Sequence, residues 1–188
     1  MDLVIVNVAH YLKQMLFMLA LLDPTVTLTD VNNMTIPNVE LVTIEHFVNN
    51  ICTCECNPNG MYGRFYLDGD GNTTLMLTTQ DGLNLPWGDI RTDALVIHEL
   101  THLIQYEHKK FGGLHTGSLM TLSEEEIEEI RIRSERHAYE NQNAFLDIYN
   151  MPQVDIDKRI AWSVAMSTGG CGGEGKLAGS ISPTLTGR

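Results

Sequence analysis

"VIHELTHLIQYEHKK", Val96 to Lys110, carries His98, Glu99 and His102 within five residues, with His108 six positions further on. The segment from Asp93 to Lys109 reads as one helix. On a helix, residues four apart lie about 40° apart around the axis. His98 and His102 therefore project from one face and can reach a single ion from consecutive turns. Glu99 flanks that face, displaced enough to miss the metal yet close enough to hold a water bound to it. Two histidines with an intervening glutamate thus suit two ligands plus a general base. A plain surface helix with scattered polar residues would spell the same letters, so the rest of the chain has to decide. His108 lies about 80° from His98 at the helix end and is not expected to be a ligand.

A catalytic zinc site needs a third protein ligand and one open position for water. The segment 123–149 reads as the helix that supplies it. Ser123 and Glu126 form a capping box, Glu124 to Glu126 suit the positive end of the helix dipole, and Met151-Pro152 stops it. Its apolar stripe runs through Ile127, Ile130, Ala138, Phe145, Leu146 and Ile148, with Ala138 near the centre. Relative to that centre, Glu135 sits about 60° away, His137 about 100° and Glu140 about 160°. Glu135, at the edge of the packed face, is the third ligand expected. Ala138 is small and allows close approach to the helix of His98, and the hydroxyl of Tyr139 is placed to fix a ligating group.

With H-E-L-T-H at 98–102 and E-R-H-A-Y at 135–139, the chain resembles a zincin metallopeptidase of the small, gluzincin-like type, over roughly residues 61–149. The resemblance implies an α+β, zincin-like fold: a small antiparallel hairpin or sheet, and an active-site helix packed on a second long helix. It also implies one Zn²⁺ ion held by His98, His102 and Glu135. Many relatives have an acidic residue where this chain has Tyr139. The activity implied is zinc-dependent hydrolysis of peptide bonds, in a protein or peptide substrate, with Glu99 as general base. An oxyanion donor is then required. His115, in the loop between the two helices, is the first candidate, ahead of Tyr106, His108 and Tyr139.

The remaining segments fit around this core. Residues 3–22 read as a buried helix ending at Asp23-Pro24, because Asp2, Lys13 and Gln14 suit neither a secretory signal nor a membrane span. Residues 38–52 read as a second helix, from Val39, Leu41, Val42, Ile44, Phe47, Val48 and Ile51. Two β-prone runs flank Asp68-Gly-Asp-Gly-Asn72 as a hairpin; Thr73 and Thr79 stand where a calcium loop would need Gly and Glu. The strand Thr73–Thr79 is a candidate for pairing with an extended peptide. One domain is expected over residues 1–166, with N-terminal helices over 1–51 and the catalytic core over 61–149, followed by a Gly/Ser-rich tail at 167–188.

A net charge of −12 with only 12 basic residues argues against a nucleic-acid partner. With no secretory signal recognised, the expected location is cytoplasmic or virion-associated, and Cys52, Cys54, Cys56 and Cys171 are expected to be reduced. The competing reading is a zincin-fold structural subunit of a larger, phage-like assembly. Such a subunit would bind zinc with little turnover, and its tail would contact partners or further copies of the chain.

Overall fold

The computed structural model describes residues 8–52, 62–67, 72–83, 88–108 and 122–168. The chain order is α1 (Val8–Leu22), α2 (Leu28–Asn33), β1 (Asn38–Thr43), α3 (Ile44–Asn50), β2 (Gly63–Leu67), β3 (Thr73–Thr79) and α4 (Ile90–Glu107). Two further helices follow, α5 (Glu124–Ile148) and α6 (Ile156–Thr168). The architecture is α+β, with one small sheet.

The sheet has the order β1-β3-β2 and is mixed, where a purely antiparallel one was expected. β2 pairs antiparallel with β3, Phe65 opposite Leu75, whereas β1 runs parallel to β3, Leu41 opposite Leu77. Residues 38–43 are therefore a strand, not the start of a helix. Their β-branched and aliphatic residues satisfy either period, and an available partner strand decides between them. The helix begins only at Thr43, whose hydroxyl accepts the amide proton of His46 at 3.0 Å. β3 consequently has a neighbour on each side and offers no edge to a peptide, contrary to expectation. Among the described residues, the sheet's edges are β1 and β2.

The core is built where α1, α4 and α5 meet the sheet. Leu12, Leu16 and Leu19 of α1 pack with Val96, Ile97, Leu100, Leu103 and Ile104 of α4, with Leu75 and Leu77 of β3, and with Phe145 and Leu146 of α5. Burial of each such side chain contributes roughly 1.5–3 kcal/mol. α4 starts at Asp89, whose carboxylate accepts from the amides of Arg91 and Thr92, both at 3.1 Å. The Tyr11 hydroxyl donates to Asp93 in the first turn of α4, which ties α1 to that helix end.

α5 has the capping box expected at Ser123 and Glu126. α6 carries Trp162, whose ring stacks on Tyr62, which in turn stacks on Phe47 of α3 at 4.9 Å. Cys52 is disulfide-bonded, which corrects the expectation of reduced thiols. That expectation rested on the lack of a secretory signal, which carries no information on which sulfurs meet in space. Disulfides persist chiefly in oxidising surroundings, so the ground for expecting a reducing compartment is removed. Cys54, Cys56 and Cys171, the turn at 68–71 and the segment 169–188 lie outside the described residues. Among the described residues, no helix is long and apolar enough to cross a membrane.

Candidate metal centre

α4 and α5 pack against each other, and Ala138, fully buried, stands on the contacting face of α5. A side chain ending at Cβ lets the two backbones approach, and the polar residues on either side of this contact face one another. His98 and His102 come from consecutive turns of α4, and Glu135 comes from α5, one turn before Ala138. All three are at least 95% buried. His98 Nε2 and His102 Nε2 lie 3.3 Å apart, His98 Nε2 is 3.5 Å from Glu135 Oε2, and His102 Nε2 is 3.7 Å from Glu135 Oε1. Donors about 2.0–2.1 Å from one tetrahedral zinc are separated by roughly 3.3 Å. The three side chains could therefore hold a metal ion with adjustments of a few tenths of an ångström.

The electrostatics favour a cation at this point. Burial pushes the His102 imidazole down to about 4, against the pull of Glu135 and with the help of the neighbouring His98, so it stays neutral and offers a lone pair. His98 is raised despite its burial, because Glu135 and Glu99 favour its protonated form. Two imidazole nitrogens at 3.3 Å need a proton or a cation between their lone pairs. Glu99 is buried and pushed up to about 7 by desolvation, reinforced by Glu135 and opposed by His98, the Phe65 backbone amide and Arg64. A divalent cation among these groups would favour the carboxylate and displace the proton. Buried His98 Nδ1 makes no hydrogen bond of ordinary length, and neither does buried Gln142 Oε1. Gln142 is nonetheless a side chain that acts on His98, favouring its protonated form.

Glu99 sits beside the sheet edge. The missing side chain of Gly63 in β2 makes its room: a Cβ there would fall 2.6 Å from Glu99 Oε1. Tyr139 lies with its ring centroid 4.3 Å from that of His98, tilted by 55°. Its hydroxyl is held protonated by burial and the charge of Glu135. Tyr106 instead packs on Phe65, and His108 faces Asp30 at 3.7 Å. Glu140 is exposed. His115 lies outside the described residues.

His137, a weak ligand candidate on helical geometry, turns away from the cluster and pairs through Nε2 with Asp23 Oδ2 at 2.8 Å. Sequence reasoning passed over Gln105, Ser134, Asn141 and Asp23, all buried behind the histidines. Gln105 Oε1 accepts from His102 Nδ1 at 2.9 Å, and Ser134 Oγ stands 3.3 Å from the same nitrogen. Gln105 lies three residues after His102, on the same helical face. That spacing is the one signal that could have drawn attention to it.

Compared with known proteins, the chain matches no family model, no curated protein and no solved structure.

Proposed function

We propose that this protein is a zincin-like, zinc-dependent peptidase with His98, His102 and Glu135 as ligands and Glu99 as general base. The observation that carries the reading is the buried triad. Two imidazoles and a carboxylate from two helices converge at 3.3–3.7 Å, and a second buried carboxyl, that of Glu99, interacts with them. Buried charged groups are costly unless paired or coordinated, and this set, rich in lone pairs, becomes balanced once a divalent cation joins it. Two nitrogens and one oxygen suit zinc and leave a position open for water.

When bound, zinc supplies a Lewis acid that polarises a carbonyl and makes water acidic enough to attack it near neutral pH. The chain's own residues do the rest. Glu99 is held between α4 and the bare backbone of Gly63, so its carboxylate can accept a proton from the attacking water and pass it to the leaving amine. β2, the edge strand beside Glu99, is the position where an extended peptide can add to the sheet. Tyr139, whose ring lies against His98, is the residue we assign, among the described ones, as donor to a developing oxyanion.

The test pairs zinc content with cleavage of an unfolded protein, for wild type and Glu99→Gln. We expect one zinc per chain in both, with cleavage by wild type and a loss of about 10²–10⁴-fold in the variant. Absence of zinc from the wild type would sink the whole reading. Zinc in both proteins with cleavage by neither would leave a metal-stabilised structural protein instead.

A further inference from the structure

Behind the triad runs a chain of hydrogen bonds that crosses three helices. Gln105 is fully buried, and its amide meets four polar atoms. Nε2 lies 3.0 Å from the Ser134 backbone carbonyl oxygen and 3.1 Å from His137 Nδ1. Oε1 accepts from the Ser134 hydroxyl and faces His102 Nδ1 at 2.9 Å. The orientation of this amide has one consistent solution. A backbone carbonyl can only accept, so the NH₂ group must face Ser134 O, which leaves Oε1 toward His102. Oε1 can only accept, so His102 must carry its ring proton on Nδ1 and keep the lone pair on Nε2. On the other side, the amide's second N–H points at His137 Nδ1, which must therefore accept. The His137 proton then sits on Nε2 and donates to Asp23 Oδ2. Asp23, at the end of α1, is anchored in turn by the Thr25 amide and hydroxyl at 2.8 and 2.7 Å.

We propose that Gln105 is a positioning residue, the hub of an Asp23–His137–Gln105–His102 chain that fixes which nitrogen of His102 is offered to the metal. This rests on the metal reading above and adds to it how the centre is held ready before an ion arrives. Imidazole free in water prefers the opposite tautomer, with its proton on Nε2, which would place an N–H where the ligand lone pair must be. A ligand-bearing histidine usually donates its other nitrogen to a carboxylate, carbonyl or water. Here an amide does so, its own geometry locked by a helix carbonyl and a histidine–aspartate pair.

The test uses the full-length protein, as wild type, Gln105→Leu and Gln105→Glu. The His102 tautomer is read from ring ¹⁵N shifts in the zinc-free protein, assigned against His102→Ala, and zinc affinity is read by chelator competition. We expect the Nδ1–H form in wild type. Gln105→Leu should shift His102 toward Nε2–H and weaken zinc binding about 10–100-fold. Gln105→Glu keeps an acceptor for His102 Nδ1 and loses the two donors. It should restore the tautomer and most of the affinity, even where melting shows it no more stable than the leucine variant. Equal loss of affinity in both variants, in step with melting temperature, overturns the proposal by making Gln105 merely structural. Zinc uptake by a wild type whose His102 is protonated on Nε2 overturns the Gln105 role alone. The expected tautomer without any zinc uptake overturns the metal reading and this role with it. If Gln105→Leu does not fold, the wild-type tautomer decides.

Discussion

The Glu99 carboxyl occupies the space that a side chain at residue 63 would need, and this makes its placement simple to perturb. Gly63→Ala adds one carbon whose position the backbone fixes, 2.6 Å from Glu99 Oε1, 2.7 Å from Cγ and 2.9 Å from Cδ. Non-bonded heavy atoms are comfortable at about 3.5 Å, so the carboxylate must retreat by roughly 0.8–0.9 Å or β2 must move. The strain should cost about 1–3 kcal/mol of stability, a drop of roughly 2–12 °C in melting temperature for a chain of this size. The chemical consequence is larger. A displacement of about 1 Å at a reacting group lowers the rate by about 10²-fold. The three atoms nearest the added carbon all belong to Glu99 and none to a proposed ligand, so zinc content should stay at the wild-type level while cleavage falls. The measurement is zinc per chain by elemental analysis, alongside the rate of cleavage of an unfolded protein, both well below the variant's melting temperature. Cleavage within twofold of wild type would refute the placement of Glu99 as the base. Loss of zinc in step with activity would refute the separation of base from ligands.

Two further outcomes follow from the packing and charge behind the site. Ala138→Leu should wedge α4 from α5, cost about 1–3 kcal/mol and weaken zinc binding, because the ligands are divided between those helices; unchanged affinity would show that the helix spacing does not set the centre. Asp23 lies below the usual aspartate range: burial opposes this, but the Thr25 hydroxyl and amide, His137 and Asn141 outweigh it. A depressed carboxylate contributes stability that is complete above its unfolded value, near about 4, and is lost as pH falls through the lower folded value. Asp23→Asn should therefore flatten the acid end of the stability profile below about pH 4, as read by denaturant unfolding across pH. A profile parallel to wild type there would contradict that assignment.

The parts of the molecule legible in the sequence were those written in local spacing. The four-residue step from His98 to His102 places both rings on one face wherever α4 forms, and Ser123 with Glu126 marks the start of α5 without outside help. Glu135 could be singled out because Ala138 marks the face of α5 that packs. Residues 38–43 were not legible, since Val39, Leu41 and Val42 fit either period and the deciding partner, β3, lies over thirty residues away. α6 was not anticipated: Asp155 caps it, accepting from the Lys158 amide at 3.1 Å, but the third helical position is Lys158, so no capping box marks the start as Ser123 and Glu126 do for α5. Gln105, Ser134, His137 and Asp23 belong to one network only because α1, α4 and α5 cross at a point, and Asp23 lies more than a hundred residues from His137. Spacing within one segment cannot show a meeting of that kind.

The position of Asp23 bears on how this chain can be divided. A fragment starting at residue 61 would contain every proposed ligand and the base. It would also lack β1, one of the two strands that flank β3, and the leucines of α1 that line the inner side of α4. It would leave His137 facing a gap where a carboxylate had been. Such a fragment would keep the chemistry's letters and lose the scaffold that orients them. Residues 8–50 thus form part of the back wall of the proposed site, and changes to Asp23 or to the α1 leucines should reach the side chains that line it.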